Sequence, residues 1–236
     1  SYDNYVTDFA RFVETVVSPR EEYRIVFAHS MGGAIAILAL ERYPQLFEAA
    51  VLSAPMCAMQ TGKYPRFAAR LLAEFCCLAG KGKCFATLAG QRGFSETPQF
   101  EGSSCLSRER YDYMFQKRLL DEHYRTYGGS YGWVLAGLRA SRKLMRKENL
   151  AKIKTPVLLF AAGHDHMVDN GAIKRFAEET ERTKLFFMPD SRHEIFNADE
   201  RTRTKYYDEI FRFIKEEEVK DYENKNEQTR KILGTV

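Results

Sequence analysis

Residues 23–53 leave this chain few ways to fold. Tyr23–Ala28 (YRIVFA) is a short, mostly apolar run that suits a strand buried in a parallel sheet. His29-Ser30-Met31-Gly32-Gly33 makes a turn, and Ala34–Tyr43 restores an Ala-, Ile- and Leu-rich helix that Pro44 closes. Ala49–Ser53 is a second buried strand. Strand, turn, helix and strand in that order form a βαβ unit, right-handed and part of a parallel sheet. Upstream, Tyr5, Phe9, Phe12, Val13 and Val16 recur at helical spacing and predict an amphipathic helix over 3–17, ended by Ser18-Pro19.

The α/β rhythm then breaks. Residues 55–150 read as helix-rich, hold all five cysteines and contain the glycine-rich stretch Tyr127–Trp133. It resumes at Pro156, with a strand over Val157–Ala161, a helix over Asn170–Arg182, a strand over Lys184–Met188 and a last helix over 203–217. The expected fold class is α/β: part of a mostly parallel sheet with flanking helices and a helical cap insertion. The division reads as a core half at 1–55, a cap or lid at 56–150, a second core half at 151–218, and a polar tail at 219–236 that should fray.

Composition removes several classes. A 236-residue chain with 44% hydrophobic and 29% charged residues is globular, and a net charge of +4 is too small to imply nucleic acid. No apolar run approaches the ~18–20 residues of a membrane-spanning helix. The start shows no basic, apolar leader. Cys57, Cys76, Cys77, Cys84 and Cys105 are odd in number and lack metal-ligand spacing, so they read as free thiols in a reducing compartment and no metal is expected.

Three loops carry the chemistry. A serine hydroxyl becomes nucleophilic only when exposed, oriented and paired with a base. A sharp strand-to-helix turn exposes Ser30 at a helix N-terminus, and the crowding of such a turn asks for small residues at Ala28 and Gly32. Met31, directly after it, would offer a backbone N–H to an oxyanion. Ala162–Asp169 follows the third strand, where Asp165 is the candidate acid; Asp169 is the alternative, although its place before a helix suits a cap. Ser191-Arg192-His193-Glu194 follows the fourth strand and offers His193 as the base, in the order Ser, Asp, His. His29 should point away from Ser30, His123 is a surface or structural residue, and His164 and His166 are surface polarity.

The runs FAHSMGGAIA, LSAPM, SYGWVLAGLRAS, AGHDHMVDN and SRHEIFN resemble bacterial lysophospholipases of the α/β-hydrolase superfamily, with monoacylglycerol lipases as near relatives, over residues 1–217. The resemblance implies hydrolysis of the acyl ester of a lysophospholipid without cofactor or metal, with Ser30 as nucleophile, Asp165 as acid and His193 as base. It implies a cytoplasmic location, peripheral to the inner membrane. Such proteins carry further residues before the first helix, including a His-Gly loop that gives the second oxyanion donor. The chain is therefore expected to be a fragment, with a long apolar edge at Tyr23–Ala28 and reduced or no activity of its own.

The cap bears on the substrate. From Cys57 to Arg92 it holds Lys63, Arg66, Arg70, Lys81, Lys83 and Arg92 against one acid, Glu74, interleaved with Tyr64, Phe67, Leu71, Leu72, Phe75 and Phe85. A basic helix with an apolar face suits an anionic membrane surface; a solvated face over a packed cap is the plain alternative. A lipid-like ester is the expected substrate. Monoacylglycerol, another carboxylester or a thioester would need the same three residues, and a non-catalytic module on a hydrolase fold is the rival of a different class.

Overall fold

The computed structural model describes residues 1–20, 23–86 and 94–233, so Arg92 of the basic stretch lies outside the described residues. Strands β1 (Ile25–His29), β2 (Ala49–Ser53), β3 (Val157–Ala162) and β4 (Thr183–Met188) form one parallel sheet in that spatial order. Helices α1 (Tyr2–Phe12) and α2 (Ser30–Arg42) flank its first half. Between β2 and β3 come α3 (Arg66–Leu78), α4 (Arg108–Leu120), α5 (Tyr131–Leu144) and the short α6 (Lys147–Leu150); α7 (Asn170–Glu178) joins β3 to β4, and α8 (Glu200–Leu233) follows.

The central strands β2 and β3 read as unbroken apolar runs because both of their faces are covered. Side chains alternate: Ala50, Leu52, Val157 and Leu159 pack among α1, α2, α5 and α7, while Ala49, Val51, Leu158 and Phe160 pack against Tyr206, Ile210 and Phe213 of α8. β2 and β3, in the middle, are buried at every position. β1 is an outer strand. Its Phe27 is 51% exposed, and a hollow of about 760 Å³ runs beside it, lined in part by Phe9, Phe12 and Val17. The apolar edge expected at this strand is therefore present.

Three local expectations need correction. The inward stripe of α1 is Tyr2, Val6 and Ala10, continued by Val13; Tyr5 and Phe12 are half exposed and face the hollow. The helix carries two apolar stripes, and the spacing alone did not say which one docks. The helix after β3 stops at Glu178, before Arg182, because Thr180 folds back: its hydroxyl bonds the Phe176 carbonyl and the Thr183 hydroxyl as the chain enters β4. The last helix does not end at 217. α8 continues to Leu233, with Glu217 paired to Arg182 and Lys220 and with Asp221 paired to Lys225. Glu, Lys, Gln and Arg lose little rotamer freedom in a helix, and no glycine or proline interrupts the run before Gly234. Among the described residues no helix is long and apolar enough to cross a membrane, and all five cysteines are free thiols.

Candidate active site

β1 passes into α2 without a loop, and the junction is Ser30. Its φ of 53° lies in the left-handed region, which costs a side-chain-bearing residue of order 1–3 kcal/mol and persists only where the surroundings enforce it. The enforcement is visible. The Ser30 carbonyl accepts from the Met56 N–H at 2.9 Å, tying the turn to the segment after β2. A Cβ on Gly33 would lie 2.5 Å from Pro55 Cβ, so α2 meets this segment only because residue 33 has no side chain. Gly32 is different: a Cβ there would meet nothing within 4 Å. The crowding expected at Gly32 falls instead at Gly33, because residue 32 faces the open hollow beside β1. The Met31 N–H sits in the first turn of α2, where the helix itself offers no acceptor, and none of the described residues takes it.

The other two loops are stitched to each other. The Gly163 N–H donates to the Met188 carbonyl at 2.8 Å and the His164 N–H to the Ser191 carbonyl at 2.9 Å. A Cβ on Gly163 would fall 2.0 Å from the Pro189 carbonyl oxygen, so only glycine allows this approach. The stitching brings three side chains from far apart in the chain into one row. His193 Nε2 lies 2.9 Å from Ser30 Oγ, and its Nδ1 lies 2.6 Å from Asp165 Oδ2. The Asp165 carboxylate is fully buried and the imidazole nearly so. Asp165 Oδ1 accepts the N–H groups of Met167 (2.8 Å) and Val168 (3.0 Å). Burial alone would raise the Asp165 carboxyl; the hydrogen bond and charge of His193, with those two N–H groups, outweigh it and hold the group below its ordinary value. With its carboxylate ionised, Asp165 accepts the Nδ1–H and leaves Nε2 bare toward the serine.

Asp169, the alternative acid, is engaged elsewhere: it caps α7 through the Gly171 N–H at 2.8 Å and pairs with Arg66. His164 and His166 are exposed. His123 is also exposed and bonds Asp121 at 2.8 Å. Among the described residues no group of three His, Cys, Asp or Glu could hold a metal ion.

Two residues of the site escaped sequence reasoning. His29 does not turn away: its ring lies 4.6 Å from that of His193 and 5.0 Å from Phe196, with Nδ1–H donated to the Ser53 carbonyl at 2.9 Å. Burial, then the neighbouring His193, pushes its pKa down to about 4, so a neutral ring lies against His193. A histidine before the serine was visible; its direction depends on Ser53 of β2. Arg192 donates to the carbonyls of Phe100 (2.9 Å), Ser103 (3.3 Å) and Cys105 (3.1 Å), fastening the His193 loop to the insertion. Carbonyl acceptors leave no trace in composition, and nothing in the sequence pointed to these.

Residues 1–200 match the family described as serine aminopeptidase, S33. The chain belongs to this family. It is 30% identical over 178 residues to lysophospholipase L2 of Escherichia coli strain K12, a match covering 75% of this chain and 51% of that protein. The chain thus spans about half the length of the curated relatives it matches there. Solved structures share the fold at low identity. A monoacylglycerol lipase of Paleococcus ferrophilus aligns with a TM-score of 0.65 and 20% identity, covering 90% of this chain and 76% of that one. A thermostable carboxyl esterase of Bacillus coagulans aligns at 0.68 and 16%, covering 91% and 71%. The fold of this S33 member is that of the α/β-hydrolases.

Proposed function

We propose that this chain carries the ester-cleaving centre of a serine hydrolase that removes the acyl chain of a lysophospholipid, with Ser30 as nucleophile, His193 as base, Asp165 as acid and the Met31 N–H as an oxyanion donor. The observation that carries this reading is the row Asp165–His193–Ser30, at 2.6 and 2.9 Å. The lysophospholipase L2 relative supports the substrate class.

The chemistry follows from the row. His193 Nε2 takes the Oγ proton as Ser30 attacks the ester carbonyl carbon. The tetrahedral oxyanion forms over the N-terminus of α2, where the Met31 N–H and the helix dipole favour negative charge. Asp165 stabilises the imidazolium. Nε2–H then protonates the departing alcohol oxygen as the C–O bond breaks, leaving an acyl ester on Ser30. Water repeats the sequence: His193 takes its proton, the acyl carbon leaves as carboxylic acid, and the proton returns to Oγ. In a substrate panel on the full-length protein, kcat/KM for lysophosphatidylcholine should exceed that for monoacylglycerol of the same chain by at least ~10-fold, of the order that buried polar groups of a site impose on a substrate lacking the matching head. A preference for monoacylglycerol would overturn the substrate assignment and leave the esterase chemistry standing.

The reading extends to a membrane surface. α3 turns its small residues inward, Ala69, Ala73 and Cys76 being buried, and its large ones outward: Phe67 is 69% exposed, Leu71 60%, Phe75 69% and Leu78 89%. This outward apolar stripe supports the membrane reading over a merely solvated face. Exposed Lys63, Arg66, Lys81 and Lys83 flank the stripe. Each apolar side chain moved from water into acyl chains contributes about 1.5–3 kcal/mol, and the flanking cations about 1 kcal/mol each on an anionic surface. The triple variant Phe67→Ser, Leu71→Ser, Phe75→Ser should lose at least ~10-fold in binding to vesicles containing phosphatidylglycerol, and wild-type binding should fall with added salt. Binding indifferent to lipid charge and to salt would count against this surface.

A further inference from the structure

A second cavity, of about 430 Å³, opens between α3, α5 and α7, a size within the ~300–1,000 Å³ of small-molecule sites. None of Ser30, Asp165 or His193 lines it. Four arginines do: Arg66 and Arg70 of α3, Arg142 of α5 and Arg175 of α7. Arg66 is paired to Asp169 and Arg70 to Glu74, and Glu74 is further shared with Arg139. Arg142 and Arg175 have no acidic partner among the described residues. Guanidinium groups gathered around one hollow repel one another unless an anion is shared between them. Two unmatched positive charges fit the dianion of a phosphate monoester, whose oxygens accept guanidinium forks in pairs. Apart from Ser141, the rest of the wall is apolar, including Met59, Leu138 and the exposed Phe67, the first side chain of the α3 stripe. A chain attached to the phosphate therefore has an apolar path out of the cavity.

We infer that this cavity binds an anionic amphiphile, a phosphate monoester head on an alkyl chain, at a place separate from the ester-cleaving row. The site also touches the acid's loop: Met59, in its wall, pairs with Val168, whose N–H bonds Asp165. The inference does not depend on esterase activity, because hexyl phosphate contains no acyl ester. Calorimetric titration of the full-length protein with hexyl phosphate should give saturable one-to-one binding, unchanged in Ser30→Ala. Inorganic phosphate should bind at least ~10-fold more weakly and hexanol not measurably. The variant Arg142→Gln, Arg175→Gln should weaken hexyl phosphate at least ~10-fold at an unchanged Tm, since both side chains are exposed. Displacement of hexyl phosphate by vesicles containing phosphatidic acid would name a bilayer lipid as the source of the head; no displacement would name a free phosphomonoester. Binding that is absent, or equal in the double variant, would overturn the site. Inorganic phosphate binding as tightly as hexyl phosphate would overturn the amphiphile.

Discussion

Ser30→Ala lowers kcat of the full-length protein by at least ~10⁴-fold, the scale on which removal of one member of such a triad acts, and leaves its Tm within a few degrees of wild type. The rate is lost because, among the described residues, no other hydroxyl bonds His193 Nε2. The stability survives because alanine keeps the same Cβ at the same left-handed φ, so the strain at residue 30 is neither relieved nor increased. The Met56 N–H still meets the carbonyl of residue 30. Steady-state kinetics on a lysophospholipid, with a thermal melt on the same sample, checks both halves. Near-normal turnover by the variant would remove Ser30 from the reaction.

Asp165→Asn lowers kcat by about 10⁴-fold, the cost of presenting the wrong histidine tautomer to the nucleophile, although the side chain hardly changes in shape. The reason lies in how the two carboxylate oxygens are used. Oδ1 accepts two backbone N–H groups, from Met167 and Val168, and Oδ2 faces His193 Nδ1. An asparagine has one oxygen, which two N–H donors claim. Its NH₂ then faces Nδ1, the ring must carry its proton on Nε2, and a protonated Nε2 cannot accept the proton of Ser30. Asp169→Asn is the contrasting case. Asparagine caps a helix about as well as aspartate, and the partly exposed pair with Arg66 is worth about 0–1 kcal/mol, so kcat should stay within about threefold. Equal losses in the two variants would contradict the assignment of Asp165.

What could be read from the residues was whatever is written locally. β2 and β3 were legible because both faces are buried, which makes each an unbroken apolar run, and β1 because its apolar run leads directly into the Ser30 turn. Ser30, Asp165 and His193 were legible because each follows a strand, in an order that a parallel sheet places on one rim. What depends on distant partners was not legible. The glycine the turn requires is Gly33, and its reason is Pro55. His29 points inward because the Ser53 carbonyl holds it there. The direction in which α3 faces was left between two readings, since its small and large apolar residues form two stripes of the same spacing and only contact with α5 selects between them. The tail misled for another reason: a polar composition indicates exposure, and an exposed run of Glu, Lys and Arg is still a good helix.

The central claim is that an acylatable hydroxyl at residue 30 is activated by His193. Treating the full-length protein with a fluorophosphonate and mapping the adduct by mass spectrometry tests it directly. One phosphonyl group should be found on Ser30, absent in Ser30→Ala and formed far more slowly in Asp165→Asn. Labelling at another residue, or none on a protein shown to be folded, would contradict it.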